Sequence, residues 1–293
     1  MAYTVDNAII MAAGTSSRFA PLSYERPKAL IEVRGEVLIE RQIRQLQQAG
    51  VSSIYIVTGY KAEQFAYLRD KFGVQLVHND AYLTRNNHSS IYAVKDVLAS
   101  SYICSADNYF AENPFEAQVE DSYYAALFAP GPTKEWCMTA DETGTVIDVR
   151  VGGEDAWYML GHAFWSVDFT RRFLPILEEM YHQPGTVDMF WESIYMEHLD
   201  QLKLKLRKYP DGVIFEFDSL DELREFDASY IEDTRSGILR SIAAGLGCTQ
   251  GQIRDIKPCK KADNTAAGIR FSVGSRKYIY EYETKELREE IYA

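Results

Sequence analysis

The sequence predicts an α/β protein: a mainly parallel mixed sheet flanked by helices, with a small α+β segment after it. Three observations carry that prediction. Continuous apolar runs of strand length alternate with amphipathic helical stretches over residues 7–108, several of those runs end in Gly or Asp, and residues 230–293 change to a helical stretch followed by a hairpin pattern.

The elements follow in chain order. NAIIMAA (7–13) is an unbroken apolar strand, and VLIERQIRQLQQAG (37–50) places Ile39, Ile43 and Leu46 on one helical face before closing at Gly50. SIYIVTG (53–59) is a second buried strand. A helical KAEQFAYLRDKFG (61–73), a short strand VQLVHN (74–79), a helical SSIYAVKDVL (89–98) and a strand SYICSADN (101–108) come next. Strands joined by helices imply right-handed crossovers and a Rossmann-like sheet, whose ligands bind beyond the carboxyl ends of the strands. Gly14 and Asp107 both lie at such ends. From about 120 to 167, SYYAALFAP, EWCMTA, GTVIDVRVG and AWYMLGHAFWSV read as four aromatic-rich strands, with Gly152-Gly153 as a turn between strands. FTRRFLPILEEMYHQ and DMFWESIYMEHL read as helices, QLKLKLRKY and VIFEFDS as strands. The polar stretch DASYIEDTRSG (227–237) suggests a boundary, giving a catalytic domain over 1–229 and a small segment over 230–293. In the latter, GILRSIAAGLGCTQGQI reads as a helix and GIRFSVGSRKYIYEYE as a hairpin around Gly274-Ser275.

Composition narrows the chemistry. The 293 residues are 46% hydrophobic and 13% aromatic, ample for a packed core. A net charge of −12 argues against sequence-independent nucleic-acid binding, which needs a basic footprint. A phosphate ligand must therefore be held by local cations or through metal. Cys104, Cys137, Cys248 and Cys259 show no C-x-x-C pairing and suit reduced thiols in a cytoplasmic protein. No apolar run approaches the roughly 18 residues of a membrane span, and MAYTVDN lacks the parts of a signal peptide, so neither membrane insertion nor export is expected. The five histidines have no ligand spacing and are expected to be structural.

The candidate site begins in AIIMAAGTSSRFAPLSYERPKAL (8–30). This is neither a Walker A loop nor G-x-G-x-x-G. A strand breaking into Ala12, Ala13, Gly14, Thr15, Ser16 and Ser17 leaves backbone N–H groups to cradle a triphosphate; Arg18 supplies a bidentate guanidinium and Lys28, behind Pro27, a point charge. Asp107 projects from the end of an apolar strand. Glu216 and Asp218 alternate about Phe217, which puts both carboxylates on one strand face. Three hard oxygen ligands suit Mg²⁺. Alternatively, Asp218 caps the helix beginning SLDELREF.

MAAGTSSRFAPLSYERPKAL, SADN, Glu135-Trp136, VDMFWE (187–192) and FEFDSLDEL resemble the bacterial phosphocholine cytidylyltransferases of the Lic pathway, within the sugar-nucleotidyltransferase superfamily, over about residues 6 to 228. Ser16 stands where that family usually has a second glycine. The resemblance implies the nucleotidyltransferase fold and Mg²⁺-dependent transfer of CMP from CTP to phosphocholine. Arg18 would then hold the β and γ phosphates, Lys28 the α-phosphate, and Asp107, Glu216 and Asp218 the metal, making Arg18, Lys28 and Asp107 the catalytic set. Asn87 and Ser90 are candidates for reading cytosine, or equally caps of the helix that starts there. A quaternary ammonium is bound by aromatic faces and a nearby anion. Trp136, Phe190 and Trp191, with Asp188 and Glu192, are the candidates for that role; a core-facing helical stripe is the other account of Trp191. The C-terminal segment resembles the opening hairpin of choline-kinase-like phosphotransferases and holds no kinase catalytic loop, so a structural cap, a dimer contact and a regulatory docking element stay open for it. Two other functions stay in play: the same chemistry on 2-aminoethylphosphonate or another amine-bearing acceptor, and a non-catalytic nucleotide sensor.

Overall fold

The structure is a computed structural model that describes residues 2–261 and 266–290; residues 262–265 and 291–293 of the C-terminal segment lie outside the described residues. The chain forms two compact units, one comprising residues up to Gly14 with Leu38–Glu216, the other Thr15–Val37 with residues from Phe217 onward. This division differs from the expected boundary at 229/230. The reason lies in the second unit, where Arg34 N–H donates to Asp227 Oδ2 at 2.8 Å, Tyr230 O–H to Glu32 O at 2.5 Å, and Gly237 N–H to Glu25 Oε1 at 2.8 Å. Residues 15–37 pack with partners far along the chain, which local composition does not reveal.

The first unit is built on a seven-stranded sheet. Its strands are β1 (Asn7–Ala12), β2 (Ile54–Thr58), β3 (Gln75–His78), β4 (Ser101–Ser105), β6 (Tyr123–Ala140), β7 (Val146–Trp165) and β8 (Lys205–Lys208), while β5 (Tyr109–Phe110) lies outside it. The order is β8-β6-β7-β4-β1-β2-β3, and every strand is parallel to its neighbours except β7, which runs antiparallel to both β6 and β4. Ile9, Ile10, Ile56 and Val57 are fully buried because both faces of the central strands are covered, so these strands read as continuous apolar runs. Helix α1 (Leu38–Gln48) buries Ile39, Ile43 and Leu46 as its spacing predicts, each worth about 1.5–3 kcal/mol, and Gly50 beyond it takes a φ of +89°. Helices α2 (Tyr67–Phe72), α3 (His88–Ala93), α4 (Val167–Tyr181) and α5 (Trp191–Glu197) complete the layers.

The four expected middle strands are two long ones. Register shifts between Ala129 and Pro132 absorb the Pro and Gly residues inside β6, and Gly152, at φ +81°, lies within β7 rather than in a turn. The reversal falls at 141–145, where Asp141 Oδ1 accepts from the N–H groups of Thr143 and Thr145. The strand expected over 213–219 is only β9 (Ile214–Phe215), antiparallel to β5. Glu216 and Asp218 therefore do not share a strand face.

In the second unit, Ser219 caps α6 (Leu220–Phe226), its Oγ accepting from Glu222 N–H at 3.2 Å, so the cap imagined for Asp218 belongs to its neighbour. Helix α7 (Gly237–Leu246) stops at Gly247, φ +63°, short of the expected residue 253. Strands β10 (Ile253–Lys260), β11 (Ala266–Val273), β12 (Arg276–Glu281) and β13 (Leu287–Glu289) form an antiparallel meander, with the β11–β12 hairpin turning at Gly274-Ser275. The four cysteines are free thiols, and among the described residues no helix is long and apolar enough to cross a membrane.

Candidate active site

In the first unit several of the candidate residues lie where the parallel strands end. β1 ends at Ala12, and Ala13 O accepts from Tyr60 N–H at 3.0 Å, so the ends of β1 and β2 close on each other. Gly59 makes that approach possible: a Cβ there would lie 2.9 Å from Ala13 O and 2.5 Å from the Tyr82 ring. Sequence reasoning did not single out Gly59, although its place at the end of an apolar strand was visible.

The loop carrying Asp107 is held from α1. Buried Gln42 donates through Nε2 to Ser105 O at 2.8 Å and to Asn108 O at 2.9 Å; Arg41 and Gln45 donate to Phe110 O, and Arg41 also to Ala111 O. Asp107 Oδ1 itself accepts from Ser105 Oγ at 2.8 Å. The apolar spacing of this helix is legible in the sequence, whereas its buried amides Gln42 and Gln45 carry no such signal. The β5–β9 pairing, Tyr109 opposite Phe215, sets Glu216 beside Asn108, whose Nδ2 lies 3.5 Å from Glu216 Oε2. Asn108 Oδ1 and Gln42 Oε1 are buried without a hydrogen-bond partner among the described residues. Carboxylate and amide oxygens are the hard donors a divalent cation takes, and these residues supply both kinds. No three acidic, His or Cys side chains form a ready cluster among the described residues, and the expected ligands divide between the units, Asp107 and Glu216 in the first, Asp218 in the second.

The residues expected around an ammonium group also belong to the first unit. Trp136, half-buried on β6, meets Phe190 edge-to-face with ring centroids 5.4 Å apart, and Phe190 is 39% exposed. Asp188 is exposed. Trp191 departs from the expectation of a ligand-facing ring. It is 1% exposed, stacked on Tyr124 at 5.6 Å and edge-on to Trp165 at 5.0 Å, so its ring belongs to the core. Glu192 is buried; Tyr124 O–H donates to its Oε1 at 3.2 Å and Asn87 Nδ2 to its Oε2 at 3.0 Å. Burial pushes this carboxyl up to about 7.

Asn87 precedes α3 but does not cap it, because both ends of its amide are engaged, Nδ2 with Glu192 and Oδ1 with Trp191 N–H at 2.8 Å. Ser90 is buried beside Asn79 Nδ2, at 3.2 Å. Both side chains thus make hydrogen bonds within the first unit.

In the second unit, Thr15 to Ser17 lead into a short 3₁₀ turn, Ser17–Phe19, closed by Phe19 N–H donating to Ser16 O at 2.9 Å. Ser16 adopts φ +47°, a left-handed conformation that costs an L-residue roughly 1–2 kcal/mol and explains the glycine usual in the family it resembles. Arg18 pairs with Asp218 at 2.7 Å, the two side chains 76% and 47% exposed. Lys28 is buried, its Nζ 5.5 Å from the centre of the Phe19 ring.

Residues 8–126 match the family model of the MobA-like NTP transferase domain. The choline-phosphate cytidylyltransferase of Streptococcus pneumoniae is 34% identical over 220 residues, 75% of this chain and 96% of the relative. The 2-aminoethylphosphonate cytidylyltransferase of Lancefieldella rimae is 38% identical over 234 residues, 78% of this chain and 95% of the relative. A solved structure of CTP:phosphocholine cytidylyltransferase from Streptococcus pneumoniae superposes with a TM-score of 0.74 at 33% identity, covering 78% of this chain and 99% of that one.

Proposed function

The chain belongs to the nucleotidyltransferase family of CTP-using cytidylyltransferases, and we propose that it transfers CMP from CTP to phosphocholine, releasing pyrophosphate. The observation that carries the choice of acceptor is the accessible Trp136–Phe190 corner, since a trimethylammonium group offers no hydrogen-bond donor and gains from aromatic faces. A second reading, 2-aminoethylphosphonate, draws on the 38% identity to the Lancefieldella rimae enzyme.

In this account a phosphomonoester oxygen of the acceptor attacks the α-phosphorus of CTP in line, and the bond to the β-phosphate bridging oxygen breaks. The acceptor phosphate, with a second pKa of about 6, is mostly dianionic near neutral pH and needs no general base. Within the second unit, backbone N–H groups from Thr15 to Ser17 would receive phosphate oxygens, Arg18 would grip the β and γ phosphates, and Lys28 would face the α-phosphate. An exposed ion pair is worth about 0–1 kcal/mol, so Arg18 exchanges Asp218 for a triphosphate at little cost. The family generally uses a divalent metal ion. In our assignment Asp107 and Glu216 of the first unit would hold Mg²⁺, which when bound supplies charge neutralisation at the phosphate oxygens.

The test is Trp136→Ala. It should lower kcat/KM for phosphocholine about tenfold, equivalent to about 1.4 kcal/mol of transition-state binding, while the KM for CTP and turnover of 2-aminoethylphosphonate stay near wild type. Equal losses on both acceptors would remove the aromatic basis of the proposal.

A further inference from the structure

Five of the six residues from Val187 to Glu192 are gripped by three consecutive residues at the start of α3. Asn86 donates from its backbone N–H to Val187 O at 2.8 Å and from Nδ2 to Asp188 O at 3.1 Å. His88 Nδ1 lies 2.5 Å from Met189 O; a carbonyl only accepts, so this nitrogen carries the proton. Asn87 takes Trp191 N–H on Oδ1 and gives Nδ2 to Glu192. The turn that bears them is itself held, since Ser89 Oγ donates to Asn86 O at 2.7 Å and buried Asn79 donates to the hydroxyls of Ser89 and Ser90.

Phe190 is the one member of the segment outside this grip, and its ring stands exposed against Trp136. Among the described residues the segment between α4 and α5 pairs with no strand; its path is set by these bonds together with Met189 N–H donating to Thr186 O at 3.0 Å. An apolar ring held in an ordered place yet left in water is what a ligand would cover.

We propose that Asn86, Asn87 and His88 are positioning residues for the acceptor, latching segment 187–192 so that Phe190 stands against Trp136 to receive the acceptor's ammonium end. This rests on the acceptor assignment made above for the same corner. It also gives Asn87 a role other than reading the nucleotide base.

The experiment uses the full chain with Asn87→Ala and, as the milder change, Asn86→Ala, which keeps the backbone bond. Steady-state kinetics should show the KM for phosphocholine rising about fivefold or more, with the KM for CTP within about twofold of wild type. In a Trp136→Ala background the cost of Asn87→Ala should shrink, because the ring pair is already broken. Hydrogen exchange should quicken in both variants at the amides of Met189, which donates to Thr186 O, and Trp191, which donates to Asn87 Oδ1. A raised KM for CTP alone, full additivity with Trp136→Ala, or unchanged exchange would each overturn the latch. Absence of wild-type turnover with phosphocholine, alongside quickened exchange in the variants, would instead overturn the acceptor assignment and leave the latch standing as a device for another ligand.

Discussion

Burial drives the Glu192 carboxyl up to about 7, while hydrogen bonds from Asn87 and Tyr124 pull the other way and only partly offset it. The folded protein thus holds this proton more tightly than the unfolded chain. Its contribution to stability is complete below about pH 4.5 and is lost as pH rises through about 7. Glu192→Gln keeps the shape without the charge. It should therefore raise the thermal midpoint relative to wild type at pH 8 and much less at pH 5, the difference approaching at most about 3 kcal/mol. A difference that does not grow between those pH values contradicts the assignment. At this scale the sequence is an uneven guide. Trp191 and Phe190 are adjacent aromatics with the same composition signal, yet one fills the core and the other faces water, because helix α5 begins between them. Asn87 looked like a cap because Asn is common at helix starts, whereas its partners lie about a hundred residues away.

Helix α1 illustrates what is legible in an element and what is not. Its apolar stripe follows the 3.6-residue period, but Gln42 is buried on the same body and uses its amide to hold the loop carrying Asp107. Gln42→Leu keeps the volume and leaves two carbonyls without their donor. We expect a loss of about 1–3 kcal/mol in unfolding free energy and a drop of about tenfold or more in kcat for pyrophosphate release, measured on a variant with native circular dichroism. A normal kcat would show that Asp107 needs no such support. The parallel strands were readable because they are continuous apolar runs, and so was the hairpin at Gly274-Ser275. Strands β6 and β7 were not, since Pro and Gly that usually mark turns are taken up as irregularities within long strands.

For the molecule as a whole, the two units are discontinuous in sequence, with residues 15–37 belonging to the same unit as residues from Phe217 onward. The curated relatives match about three quarters of this chain while being nearly covered themselves, so a quarter of this chain has no counterpart in those matches. Ending the chain at Asp227 would remove Tyr230 from Glu32 and the α7 N-terminus from Glu25. That truncation should lower the thermal midpoint and slow the reaction, because the segment bearing Arg18 and Lys28 loses its packing. Full activity with an unchanged midpoint would show that residues after 227 serve something other than the catalytic loop.

The central claim is that this chain makes a cytidylyl product from CTP and prefers a choline-bearing phosphate. The direct measurement is ³¹P NMR of the full chain with CTP, Mg²⁺ and equal concentrations of phosphocholine and 2-aminoethylphosphonate. The account predicts equal amounts of pyrophosphate and total cytidylyl product, CDP-choline as the main product, and no reaction when a chelator removes the metal. Predominant formation of the aminoethylphosphonate product would contradict the acceptor assignment, and no pyrophosphate with either acceptor would contradict the reaction itself.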